Sequence, residues 1–139
     1  EIRELKQEYG SFYGFHGSPI GNWHSILRNG LTNKAYAQAF GPGIYLARDA
    51  ATSVGYLYRG GMGSGTSNWP GSDIGTTDLK CMAMCEIIDW SSKEKSQHCR
   101  GEVHKIGCHH NKSSPYIRVE NDHLLITRFF FVWNKTTNP

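Results

Sequence analysis

Apolar residues along the chain fall into short bursts separated by glycine, proline and small polar residues, a rhythm of brief strands and a few short helices. Ser11 to His16 is aromatic-rich, with Phe12, Tyr13 and Phe15, and reads as a strand stopped by Gly17 and Pro19. Asn22 is the expected N-cap of a helix carrying Trp23, Ile26 and Leu27 at helical spacing, with Gly30 as its stop. After a loop from Thr32 to Phe40, Gly41-Pro42-Gly43 forces a turn into a short strand, Ile44 to Ala47. Asp49 then caps a second helix bearing Ala50, Ala51, Ser53, Val54 and Tyr56, which puts Ser53 and Tyr56 on one face. From Arg59 to Thr77 the composition turns to Gly, Ser, Thr, Asn and Asp around Trp69-Pro70, the pattern of a long flexible loop. The remainder is strand-like: Cys81 to Trp90, Tyr116 to Val119 and Leu124 to Trp133. The run Phe129 to Trp133 reads as a buried strand.

Composition bounds what this pattern can build. With 139 residues, 38% hydrophobic and 12% aromatic, the chain suffices for one core and one domain. A net charge of +3 with no two Lys or Arg adjacent does not describe a nucleic-acid surface. No stretch approaches the roughly 18 apolar residues of a membrane span, and the start lacks a secretory-signal pattern. The chain reads as soluble and intracellular, cytoplasmic or nuclear, and as a monomer. It begins at Glu1 and ends in a polar Asn134 to Pro139 tail, which suggests a domain cut from something longer.

The four cysteines divide into two groups. Cys81 and Cys85 sit on one face of a strand about 13 Å apart, too far to pair, and read as buried free thiols. Cys99, His104, Cys108, His109 and His110 are zinc-ligand types within twelve residues. They lack a Cys-x2-4-Cys knuckle, so the expectation is a solvated polar loop and no metal, with a metal-dependent interaction domain as the distant rival.

The decisive constellation is His16-Gly17-Ser18, followed by Gly43-Ile44-Tyr45-Leu46-Ala47 and then Ser53-Val54-Gly55-Tyr56. A strand-borne His, a strand-borne Tyr and a Ser/Tyr pair one helical turn apart suit a slot for a flat cationic ring on a sugar, since aromatic faces attract such a ring. This constellation resembles the NAD-binding signature of the poly(ADP-ribose) polymerase family, the diphtheria-toxin-like ADP-ribosyltransferases. The resemblance implies an α+β fold, the ADP-ribosyltransferase fold, with two packed, mainly antiparallel sheets and a few short helices around an NAD cleft. It implies that His16 bonds the adenosine ribose of NAD, that Gly17 and Ser53 hold the nicotinamide carboxamide, and that Tyr56 stacks on the nicotinamide ring. Ser18 belongs to the same NAD-binding set, and Tyr45 is the second member of the catalytic triad.

At the third triad position the polymerising members carry a Glu. The matching stretch here, Pro115 to Leu125, puts Tyr116 in that place. The triad His16, Tyr45, Tyr116 is similar to that of the His-Tyr-Tyr subgroup. A phenol with pKa near 10 donates a hydrogen bond but is a poor base at neutral pH. Transfer of a single ADP-ribose to a protein acceptor, the chain itself included, is therefore expected rather than chain growth. Glu120, four residues on, is too far along the strand to substitute. The helical subdomain that regulates polymerising members is expected to be missing from residues 1–139. The rival within the fold is a catalytically silent module that binds NAD or ADP-ribose, and an NAD hydrolase would use the same pocket.

Overall fold

The computed structural model describes residues 1–18, 20–32, 41–54, 73, 79–90, 103–107 and 112–133. Tyr56, most of the Thr32–Phe40 loop, the Arg59–Thr77 segment apart from Asp73, Cys99, Cys108, His109, His110 and the Asn134–Pro139 tail lie outside them.

Helix α1, Ile2–Tyr9, was not anticipated. Its Ile2, Leu5 and Tyr9 recur at helical spacing and pack against the core edge, and Gly10 ends it at φ 76°. Strand β1, Ser11–Ser18, runs two residues past the expected end at His16. Helix α2, Ile20–Asn29, starts two residues before Asn22, which is therefore inside the helix and not its cap. Gly30 does stop it, at φ 78°, with its N–H bonded to the Ile26 carbonyl. Strand β2 is Ile44–Ala47, and α3, Ala50–Val54, is capped by Asp49, whose carboxylate accepts from the Thr52 N–H at 2.8 Å and hydroxyl at 2.9 Å.

Strand β3 is Lys80–Ile88, β4 Val103–Lys105 and β5 Tyr116–Val119. A 3-10 turn, Asp122–Leu124, then leads into β6, Leu125–Trp133. The six strands among the described residues form one sheet in the order β4-β5-β2-β1-β3-β6. Every pairing is antiparallel except β4 with β5, as a mainly antiparallel α+β fold requires.

The sheet divides into two three-stranded halves, β4-β5-β2 and β1-β3-β6. Strands β1 and β3 match over eight residue pairs, whereas β1 meets β2 at a single one, Phe15 opposite Ala47. Among the described residues that is the one ladder pair between β1 and β2, and this short ladder is the seam between the halves. Strand β2 nevertheless pairs along all four of its residues with β5.

The core lies on one sheet face, built from Leu46, Cys81, Ala83, Cys85, Ile87 and Ile117, with Trp23 of α2 fully buried over it. Gly14 lies close beneath this layer: a Cβ there would stand 2.9 Å from the Ile87 Cδ1 atom. Cys81 and Cys85 are free, fully buried thiols, in line with their expected role. Burial drives both up to about 11, so neither is a thiolate at neutral pH. In β6 the register slips at Arg128, which keeps Thr127 and Phe130 both against the core side of β3. Phe129 and Phe131 face outward, 53% and 44% exposed, so this strand is not buried throughout as its apolar run suggests.

Candidate functional site

His16 sits where the two halves of the sheet part. Its Nδ1–H donates to the Tyr45 carbonyl across the seam at 2.9 Å. With that proton on Nδ1, the neutral ring has a lone pair on Nε2, which accepts from the Ser18 hydroxyl at 2.8 Å. Burial holds the imidazole below the usual histidine range, against the opposing pull of the Tyr45 carbonyl. The ring is thus kept neutral. The Trp23 indole meets it edge-on at 6.1 Å and is itself fixed by Phe130 at 4.8 Å and by donation to the Ser18 carbonyl at 2.8 Å. A buried tryptophan therefore backs the histidine and holds the Ser18 carbonyl at the end of β1.

Tyr45, half-buried on β2, gives its hydroxyl to the Gly41 carbonyl at 2.6 Å. The turn it holds is also braced by Arg118, 7% exposed, whose Nη1 reaches the Pro42 carbonyl at 3.4 Å. Gly43 is at φ 150°, and a Cβ there would stand 2.7 Å from the Arg118 Cγ atom and 3.1 Å from the Val119 carbonyl oxygen. The glycines of Gly41-Pro42-Gly43-Ile44-Tyr45 thus allow the turn to close onto Arg118. Sequence reasoning did not single out Arg118. Its signal would have been a basic residue inside an apolar strand, Ile117-Arg118-Val119.

A hollow of about 460 Å³ opens beside His16, within the range of small-molecule sites. His16, Ser18, Asn22, Ser25, Gly43 and Tyr45 supply most of its polar and glycine lining, and Ile26, Leu31 and Ile44 its apolar wall. The structure therefore brings His16, Ser18 and Tyr45 together. Gly17 is buried in β1 opposite Met82. Ser53, 1% exposed, donates to the Phe15 carbonyl at 2.8 Å, so it sits one residue from His16 but outside the lining of the hollow.

Tyr116 is the first residue of β5, opposite Ala47, and it does not line the hollow. Its neighbour Ile117 is fully buried in the core, so alternation turns Tyr116 to the other face of the sheet, the one Tyr45 and Arg118 share by register. Glu120 is held by Lys105 at 3.1 Å and Arg118 at 3.4 Å, beyond the end of β5. Glu86, only 2% exposed, is bound to Lys6, Ser11 and Arg128. Neither carboxylate is offered to the hollow. Among the described residues, no group of three or more His, Cys, Asp or Glu is arranged to hold a metal ion. None of their helices is long and apolar enough to cross a membrane.

A mainly antiparallel sheet whose two halves are joined by a histidine beside a polar hollow is consistent with the ADP-ribosyltransferase fold. The family model of the poly(ADP-ribose) polymerase catalytic domain matches residues 2–124, and the chain belongs to that family. The chain is 33% identical over 157 residues to protein mono-ADP-ribosyltransferase PARP8 of Homo sapiens, an alignment covering 95% of this chain and 16% of that protein. It is 32% identical over 143 residues to protein mono-ADP-ribosyltransferase PARP16 of Homo sapiens, covering 95% of this chain and 42% of that protein. The chain thus spans less than half the length of either relative.

Proposed function

We propose that this domain cleaves the nicotinamide–ribose bond of NAD and transfers one ADP-ribose to a nucleophilic side chain of a protein. The observation that carries the reading is the neutral His16, bonded to the Tyr45 carbonyl and the Ser18 hydroxyl at the edge of a 460 Å³ hollow. A neutral imidazole whose Nε2 already takes a hydroxyl proton is suited to accept one from a ribose hydroxyl in its place. His16 and Ser18 would thereby hold the adenosine ribose. Gly17, with no side chain to obstruct its backbone, would hold the carboxamide together with Ser53, and Tyr45 and Tyr56 would flank the nicotinamide ring.

The reaction needs little acid help, because the leaving group is a cation that departs as a neutral base. The C–N bond breaks with its electron pair passing to the ring nitrogen, and positive charge develops on the ribose carbon. The acceptor nucleophile attacks that carbon and releases its proton to solvent. The domain contributes by fixing the geometry and excluding water. Tyr116 would hydrogen-bond the nicotinamide ribose, and a phenol there does not activate a second ADP-ribose as a carboxylate would. That both relatives are named mono-ADP-ribosyltransferases supports the single transfer.

The test is incubation with labelled NAD, following free nicotinamide and label on protein, with His16→Ala and Tyr45→Ala as controls. Single label on protein, lost in both variants, supports the transferase. Release of nicotinamide without protein label would replace it by a hydrolase, and NAD binding without release by a silent binding module.

A further inference from the structure

Tyr116 occupies the third triad position on a four-residue strand that starts immediately after Lys112 to Pro115, a segment exposed at every residue but Ser114. It pairs with Ala47 of β2 on one side and Val103 of β4 on the other. The end of β2 supplies a further restraint. Arg48, the residue after β2, donates its backbone N–H to the Pro115 carbonyl at 2.9 Å, its Nε to the Ser114 carbonyl at 2.7 Å and its Nη2 to the Lys112 carbonyl at 2.5 Å. The guanidinium carbon lies over the Phe12 ring, 5.2 Å from its centroid, a cation–π contact that adds to the two acceptors in holding the side chain. Buried Ser114 completes the arrangement, its hydroxyl accepting the Tyr116 N–H at 3.1 Å.

We infer that Arg48 is a positioning residue: it clamps the Lys112–Pro115 segment to the end of β2 and so fixes where Tyr116 enters the sheet. The inference rests on the transferase reading of the site. It adds a component that the histidine-tyrosine-tyrosine constellation does not contain. A one-residue slip would replace Tyr116 by Pro115 or by Ile117, whose side chain belongs to the core. Three carbonyls in one run, each bonded to a single arginine, oppose that slip. A lysine keeps the charge but offers a single point of contact, so it cannot both lie over Phe12 and fork between two carbonyls.

The test is nicotinamide release by the wild-type chain, Arg48→Gln, Arg48→Lys, Tyr116→Phe and the double variant Arg48→Gln/Tyr116→Phe, with thermal midpoints recorded alongside. Arg48→Gln is expected to lower kcat by on the order of tenfold to a hundredfold, with KM for NAD within about twofold, and Arg48→Lys to recover only part. In the Tyr116→Phe background, Arg48→Gln is expected to add little, because both act through one hydroxyl. A full multiplicative loss in the double variant, or normal kcat in Arg48→Gln, overturns the clamp while leaving the transferase standing. Unchanged kcat in Tyr116→Phe also overturns it, by removing the group it positions. No release by the wild-type chain instead defeats the transferase reading itself. Should Arg48→Gln melt too early to assay, the same comparison made with Arg48→Lys decides the matter.

Discussion

His16 owes its usefulness to what surrounds it rather than to being a histidine. The tautomer follows from one carbonyl, the neutrality from burial, and the orientation from Trp23. The folded chain binds a proton on this ring less readily than the unfolded chain does near its ordinary value of 6.5. Acidification through that value therefore favours the unfolded state, and above it the contribution to stability no longer changes. A protonated ring also loses the Nε2 lone pair. Nicotinamide release is thus expected to stay flat through neutrality and to fall only at a pH below the ordinary histidine value of 6.5, because the folded ring takes up its proton less readily, measured as kcat/KM against pH. His16→Gln should lose that acid limb along with at least about tenfold of activity. The buried thiols behave in the opposite sense. With Cys81 and Cys85 fully buried and raised to about 11, peptide mapping after alkylation of the folded chain should find both unmodified, and both modified once urea is added.

At the scale of elements, Glu86 ties three of them together. It accepts from Lys6 of α1 at 2.5 Å, Ser11 of β1 at 2.6 Å and Arg128 of β6 at 2.8 Å, and these partners hold its carboxyl down at about 2. A carboxylate depressed from its ordinary 4.5 stabilises the fold fully above that value and loses the contribution as pH falls toward 2. Glu86→Gln should cost about 2 kcal/mol at neutral pH, read from urea midpoints. The difference from wild type should shrink steadily below pH 4.5. The Gly41–Gly43 turn answers to backbone geometry instead. Gly43→Ala places a side chain at φ 150° and against Arg118, and should cost more than about 1 kcal/mol. It should also reduce nicotinamide release, because the turn and Tyr45 share one set of hydrogen bonds.

Over the whole molecule, what could be read from sequence was what is specified locally. The strand with His16, the Gly30 stop, the Asp49 cap and the Ile44–Ala47 strand each carry their own turn or capping residue, and the histidine and Tyr45 came with them. What stayed hidden depends on distant partners. Strand β4 is three residues, Val103-His104-Lys105, with a histidine at its centre, and it is a strand only because β5 pairs with it in parallel. Helix α1 had a legible apolar spacing at Ile2, Leu5 and Tyr9, muted by the charged residues between them. The clamp by Arg48 joins residues more than sixty apart and has no motif. The meeting of β1 and β2 at one residue pair has a further consequence for energetics. Each half of the sheet has its own ladder, so the line between them is where cooperative unfolding is most easily decoupled. A dinucleotide lodged beside His16 would touch α2 and β1 on one side and β2 on the other, acting as a removable cross-link. At a hundred times its dissociation constant it should add about 2.7 kcal/mol to stability, and amide protection should rise most along Gly17, Ser18 and Ile44. In such a protein, substrate concentration would regulate not only the rate of reaction but also the degree to which the two halves behave as one body.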